Sequence, residues 1–212
     1  MDIAIQRQQG NCLIDVAFHS DAEGITALFG PSGAGKSSVI NMVAGLQRPD
    51  SGKISIQGHC LFDSTTGVNL PPEKRNIGYV FQEGCLFPHL SVKANLLYGR
   101  HRRNHSGKNT DFTKVIEVLG IGHLLSRKPY TLSGGEKQRV AFGRAVLSNP
   151  AILLMDEPLA SLDKARKEEM LPFIKELNRQ FGIPILYVSH SLEEIHVLTK
   201  TVLQLAEGKL LH

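Results

Sequence analysis

Cysteine is scarce in this sequence, and long apolar runs are missing. There are three cysteines, Cys12, Cys60 and Cys85, an odd number with no Cys-x-x-Cys pair among them. That pattern argues against a disulfide framework or a zinc site, and the nine histidines show no ligand spacing either. The densest apolar runs, such as Ala151–Met155, are only strand length, whereas a membrane-spanning helix needs about 20 such residues. Any link to a membrane is therefore expected to run through a partner. The chain opens Met1-Asp2-Ile3, without a positive start or an apolar stretch behind it. A secretory signal is not expected, and the cytoplasm fits the cysteine usage best. Charge of one sign is also limited. A net +4 is a mild excess, too small to hold nucleic acid by itself, and no nucleic-acid partner is expected. The 212 residues, 42% of them apolar, suffice for one domain with a real core and a small subdomain.

No internal repeat and no long linker interrupts the chain. Short β-like runs recur at Cys12–Phe18, Ile25–Phe29, Lys53–Gln57, Ile77–Phe81, Ala151–Met155, Ile185–Ser189 and Thr201–Leu205. Several of the later ones are apolar on both faces, as buried parallel strands are. Helical patterns fall between them at Ser37–Leu46, Phe112–Leu119, Glu136–Leu147, Ala165–Gln180 and Leu192–Leu198. The alternation of strand and helix predicts an α/β domain. The middle differs: Asn95–Leu132 shows little β pattern and carries the basic stretch Arg100-His101-Arg102-Arg103-Asn104-His105. It reads as a helical insertion with a solvated loop, since no aromatic residue interleaves with the charges.

Gly30-Pro31-Ser32-Gly33-Ala34-Gly35-Lys36-Ser37 fits the pattern G-x-x-x-x-G-K-[ST], with a strand before it and a helix after it. Glycines permit positive φ and leave no side chain in the way, so backbone N–H groups can curl around phosphate oxygens. The helix start adds about half a positive charge at the same place. Lys36 can reach the β and γ phosphates, and the Ser37 hydroxyl can ligate Mg²⁺. Gly30 through Ser38 form the expected nucleotide cradle. Further on, Ile152-Leu153-Leu154-Met155-Asp156-Glu157 is an apolar strand ending in two acids. Ligands of open α/β sheets bind at the carboxyl ends of strands. Asp156 is then expected to hold Mg²⁺ and Glu157 to orient or deprotonate an attacking water, a role worth roughly 10²- to 10⁴-fold in rate.

Between cradle and acid pair lies Leu132-Ser133-Gly134-Gly135-Glu136-Lys137-Gln138-Arg139. Ser133 reads as the N-cap of a second phosphate-binding helix start, with bare backbone at Gly134 and Gly135. With these residues the chain resembles the ATP-binding-cassette family over nearly its whole length. The resemblance implies a P-loop nucleotide-hydrolase fold: a mostly parallel core sheet, an N-terminal antiparallel β element and an inserted helical subdomain near residues 95–145. It also implies a head-to-tail homodimer, in which Ser133, Gly134, Gly135 and Glu136 of one copy bind the γ-phosphate held in the other copy's cradle. Gln82 matches the family's glutamine that contacts Mg²⁺ and the attacking water. Ser161-Leu162-Asp163 matches the loop that crosses between subunits, which puts Asp163 at the nucleotide. His190 matches the switch histidine of the γ-phosphate. The catalytic set implied is Lys36, Gln82, Glu157 and His190, with Ser37, Gln82 and Asp156 on the metal and ATP as substrate. Ser191-Leu192-Glu193-Glu194 reads as a capping box opening the last helix.

Within that family the chain is most similar to the ATPase subunits of bacterial molybdate importers. The residues that suggest this include Pro72-Glu73-Lys74-Arg75, Leu86-Phe87-Pro88-His89-Leu90, Asn95-Leu96-Leu97-Tyr98-Gly99 and Gly134-Gly135-Glu136-Lys137-Gln138-Arg139. The resemblance implies an ATPase on the inner face of the cell membrane, working with permease subunits and, through them, a periplasmic substrate-binding protein. Importers of sulfate, iron and polyamines share much of the pattern, so the solute stays open at this point, and a non-transport cassette ATPase or a non-hydrolysing regulatory module are the other classes. Three departures stand out. The signature ends in Glu136 where the family usually has Gln. Met1–Val16 lacks the aromatic that usually stacks on adenine, which predicts weak base stacking. Last, an oxyanion-binding C-terminal domain is not part of this sequence, which stops after a hairpin expected around Glu207-Gly208. Leu86 and Phe87, just past Gln82, either form part of a groove for a partner helix or fill the core beneath the helical insertion.

Overall fold

The structure, a computed structural model, describes residues 1–20, 23–99 and 110–211. The basic stretch 100–105 lies outside the described residues. Strands β1 (Asp2–Gln9) and β2 (Cys12–His19) form an antiparallel hairpin in the register Asp2↔His19 to Gln9↔Cys12. Alternation decides which face each residue takes: Ile3, Ile5, Ile14 and Val16 are buried, while Ala4 and Ala17 face out. The strands β4 (Ser51–Ile56), β5 (His59–Asp63) and β6 (Val68–Asn69) extend the hairpin by antiparallel pairing, β4 lying directly on β1. The expected strand at Lys53–Gln57 is thus the middle of a larger antiparallel element. The strands β1, β5 and β6 escaped the sequence reading: their residues are largely polar on the outer face, so little apolar periodicity marks them.

The second half of the sheet is parallel. It contains β3 (Ile25–Phe29), β7 (Ile77–Val80), β8 (Ile152–Asp156), β9 (Ile185–Ser189) and β10 (Thr201–Ala206), with β11 (Lys209–Leu211) returning as a hairpin at Glu207-Gly208. Among the described residues eleven strands form one sheet in the order β6-β5-β4-β1-β2-β11-β10-β3-β9-β8-β7. The apolar runs expected to be buried on both faces are so. Ile152, Leu154, Leu186 and Val188 pack toward helix α1 (Lys36–Ala44), with Val39, Ile40 and Val43. Leu153, Met155, Ile185 and Tyr187 point the other way. They meet Val140, Val146 and Leu147 of α4 (Gly134–Leu147) and Met170 and Ile174 of α5 (Lys164–Phe181).

The segment between β7 and β8 carries α2 (Val92–Leu97), α3 (Phe112–Leu119) and α4. These helices share one core through Leu96, Val115, Leu119 and Phe142, all fully buried. The last helix, α6 (Leu192–Leu198), follows β9 directly. The capping box expected at its start is only half formed. Ser191 Oγ accepts from Glu194 N at 3.4 Å, but the Glu194 carboxylate turns inward instead of back to Ser191 N. It accepts from Tyr187 OH at 2.7 Å and Ser189 Oγ at 2.9 Å, and meets Lys167 Nζ at 2.9 Å. The buried carboxylate takes three donors there, and Ser191 N donates instead to Ser189 Oγ at 3.0 Å.

Candidate functional site

The chain leaves β3 at Phe29 and turns through Gly30–Gly35 into α1. A Cβ at Gly30 would stand 2.1 Å from the Leu205 carbonyl oxygen, so only glycine lets the loop pass this close under β10. Gly33 and Gly35 take φ of 82° and 102°. Gly35 N-caps α1 without any side-chain bond, and the amides of the first turn keep their donors for an anion. Lys36 is buried, with Nζ donating to the Gly30 carbonyl at 2.8 Å and the Pro31 carbonyl at 2.9 Å. These are neutral partners for a buried ammonium, weaker than the phosphate oxygens that could replace them. The loop borders a cavity of about 410 Å³ lined by Gln9, Cys12, Ile14, Ser32, Gly33, Gly35, Lys36, Ser37, Ser38 and Glu157.

The carboxyl end of β8 brings the acid pair to the same place. Ser37 Oγ donates to Asp156 Oδ1 at 3.1 Å across 119 residues of chain. Tyr79 on β7 donates to Asp156 Oδ2 at 3.3 Å and stands 3.0 Å from Asn41 Oδ1 of α1. Burial is the chief influence on Asp156 and pushes its carboxyl up; the bonds from Ser37 and Tyr79 and the charge of Lys36 oppose that, while Glu157 adds to it. Burial and the Asp156 charge raise the Tyr79 phenol, which stays a donor. A serine hydroxyl and a carboxylate 3.1 Å apart are hard oxygen donors of the kind Mg²⁺ takes when phosphates complete its shell. Among the described residues no cluster of three or more His, Cys, Asp or Glu could hold a metal alone.

Glu157 sits at φ 45° directly after β8, a left-handed backbone position that turns its side chain over the cradle. Its Oε2 lies 3.0 Å from His190 Nδ1, beyond the end of β9, and its Oε1 lies 3.8 Å from Lys36 Nζ. Because β9 pairs with both β3 and β8, cradle, acid pair and His190 leave the sheet side by side. Gln82 emerges exposed two residues past Val80, which pairs with Met155. Past it, Arg144 of α4 donates to the carbonyls of Gly84 at 3.0 Å and Cys85 at 2.9 Å and stacks 5.2 Å from the Phe87 ring. Asn95, fully buried, clamps the same segment through Phe87 N, Phe87 O, Leu90 O and Ser91 O. Leu86 packs onto the core of the helical layer and Phe87 is half-buried.

Ser133, Gly134, Gly135, Glu136 and Asp163 do not join this cavity. Ser133 is the N-cap of α4 and forms a complete capping box: its Oγ accepts from Glu136 N at 3.3 Å, and Glu136 Oε2 accepts from Ser133 N at 2.7 Å. Glu serves at the third position of such a box as Gln does, which accounts for the departure at Glu136. A Cβ on Gly135 would meet nothing within 4 Å, so packing within the chain does not require glycine there. Asp163 caps α5 by accepting from Arg166 N at 3.0 Å, and a Cβ on Gly134 would approach Leu162 to 3.3 Å, so signature and crossing loop adjoin. Sequence reasoning missed Gln9, Cys12, Ile14, Tyr79, Asn41 and Asn95. Gln9, Cys12, Ile14, Asn41 and Tyr79 reach the site through strand and helix pairing distant in the chain, whereas Asn95 sits in a family-like run and clamps residues only four to eight positions before it.

A phosphate loop between a parallel strand and its helix, with an acid-ended strand in the same sheet, is the P-loop fold of the ATP-binding cassettes. Within that class the chain belongs to the ABC transporter family, whose model matches residues 13–160. It is 56% identical over 209 residues to the molybdenum import ATP-binding protein ModC of Paramagnetospirillum magneticum, covering 99% of this chain and 57% of that protein. It is also 56% identical to ModC of Rhodospirillum rubrum, covering 99% and 56%. The chain thus spans little more than half the length of the curated relatives it matches. Among solved structures, a dimeric post-hydrolysis state of the ATP-binding cassette MJ0796 bound to ADP and Pi is 26% identical with a TM-score of 0.74, covering 99% of this chain and 94% of that one. The cbiO1 cassette from Clostridium perfringens, 24% identical, has a TM-score of 0.83 over 100% and 86% and shares the fold. Among the described residues no helix is long and apolar enough to cross a membrane.

Proposed function

We propose that this chain binds and hydrolyses ATP between two head-to-tail copies, and that hydrolysis drives molybdate uptake through permease subunits at the inner face of the cell membrane. The observation that carries the mechanism is the separation of two anion-binding helix starts. The start of α1 opens on the cavity that holds Lys36 and Glu157, while the start of α4 lies outside that cavity with Gly135 unobstructed. One triphosphate contacts both only if a second copy supplies the other. The similarity to ModC proteins supports the solute and, with the family, the permease partner.

ATP displaces the carbonyl partners of Lys36, and the ammonium moves to the β and γ phosphates. Ser37, Asp156 and Gln82 would hold Mg²⁺, which supplies charge neutralisation to the phosphates when bound. A water between Glu157 and the γ-phosphorus gives its proton to Glu157 Oε2 as its oxygen bonds to that phosphorus, and the bond from phosphorus to the β–γ bridging oxygen breaks to release ADP. His190, 3.0 Å from that oxygen, orients the carboxylate and reaches the leaving phosphate. Glu157→Gln keeps the shape and loses the base. Turnover is expected to fall by about 10²- to 10⁴-fold, while an ATP-bound dimer accumulates in size-exclusion chromatography. Unchanged turnover would remove Glu157 from this role.

A further inference from the structure

One wall of the cavity is built from Gln9, Cys12 and Ile14, at the turn end of the β1–β2 hairpin, and carries no ring. Ser38 Oγ donates to Gln9 Oε1 at 2.7 Å, which ties that wall to the start of α1. A purine laid there covers one π face on aliphatic and thiol surface and leaves the other to solvent. Three residues before Ser133 stands Tyr130, 73% exposed, the most exposed of the large apolar side chains among the described residues. Its turn is rigid. Thr131 donates from N and Oγ1 to the Lys128 carbonyl at 3.0 and 2.8 Å, and Leu132 N donates to Pro129 O at 3.2 Å. Pro129 and Leu132 are buried, so the turn leaves Tyr130 exposed three residues ahead of the helix cap Ser133. Arg127 and Lys128 precede it, both exposed, and the Arg127 charge reaches Glu136. An exposed ring, two cations and an anion-binding helix start thus occupy one continuous stretch of surface.

We propose that Tyr130 stacks on the adenine of the nucleotide held in the cradle of the second copy, closing in trans the base site that the N-terminal hairpin leaves open. The inference rests on the head-to-tail reading above. It assigns the base to two chains: Gln9, Cys12 and Ile14 of one copy, Tyr130 of its partner. Stacking a base on an aromatic side chain is worth about a tenfold factor in affinity, and a phenyl ring serves as well as a phenol. Purines stack more strongly than pyrimidines, so Tyr130 also sets the preference for ATP over a pyrimidine triphosphate.

The test uses the full chain carrying Glu157→Gln and follows nucleotide-driven dimerisation by sedimentation. Tyr130→Ala is expected to raise the half-saturating ATP concentration about tenfold and to narrow the ratio between ATP and CTP. Tyr130→Phe is expected to keep both parental values. Binding of N-methylanthraniloyl-ATP at subunit concentrations too low for dimers is expected to match the parent in every variant, because the ring acts only from the other copy. An unmoved ATP dependence, or an unchanged ATP-to-CTP ratio in Tyr130→Ala, overturns the proposal while the dimer reading stands. A parent that stays monomeric at saturating ATP overturns the head-to-tail reading itself, and this inference with it.

Discussion

Arg75 is the most instructive single residue away from the cavity. It is 2% exposed and has no carboxylate partner among the contacts described. Its guanidinium donates instead to the Met42 and Val43 carbonyls at 2.8 and 2.9 Å, to the Leu70 carbonyl at 2.7 Å and to Asn69 Oδ1 at 3.0 Å. The first two are among the last carbonyls of α1, so a fixed cation stands at the negative end of the helix whose other end is the proposed phosphate site. Burial pulls the Arg75 pKa down, yet it starts so high that the charge persists. Arg75→Ala removes the donors to the Met42, Val43 and Leu70 carbonyls and to Asn69 and is expected to cost about 3 kcal/mol, read as a lower urea midpoint. Arg75→Lys should recover little, because one ammonium cannot span the fork. The sequence placed Arg75 in a family-like run without a role; its partners lie as far as 33 positions away and meet it only in the folded chain.

At the scale of elements, the start of α4 was legible in the sequence. Ser133 reads as a cap and is one; Asp163, which reads only as part of the crossing loop, and Ser91, which the sequence reading does not name, also cap helices by accepting from an amide of the first turn. The start of α4 also has a pH signature. The backbone bond from Ser133 is the main reason the Glu136 carboxyl lies below its ordinary value of 4.5, with burial opposing and the Ser133 side chain, Arg127 and Arg139 assisting. A lowered pKa means the ionised form is favoured in the fold. Its contribution is fully present above 4.5 and is lost as pH falls through the lowered value. Glu136→Gln keeps a capping-box acceptor without the charge. Wild type is therefore expected to melt above Glu136→Gln at neutral pH, with the gap closing as acid protonates Glu136. A constant gap across that titration would contradict this account. At Ser191 the same spacing misled, because Glu194 found buried donors that no local pattern reveals.

For the whole molecule, the question is whether one copy makes a complete site. A nucleotide held by a single subunit raises the melting temperature by an amount independent of protein concentration. One held between two copies links melting to association, so the shift grows as protein concentration rises. In the Glu157→Gln background with ATP and Mg²⁺, a rise in melting temperature across a hundredfold dilution series is expected toward the concentrated end. The same series without nucleotide is expected to be flat.

The sequence alone determined the parts whose physics is local. The cradle is a run of glycines that must adopt open backbone angles, the parallel strands are continuous apolar runs, and the helices announce themselves by caps and by spacing. Tertiary structure decided which of those parts meet. The strand order β3-β9-β8-β7 sets Ser37 against Asp156 and Glu157 against His190, because parallel strands joined by long crossovers can pair in several orders that leave the same local signals. It also set the start of α4 apart from the cavity and left Tyr130 exposed in the turn before it, since the burial of Pro129 and Leu132 depends on packing that the local sequence does not fix.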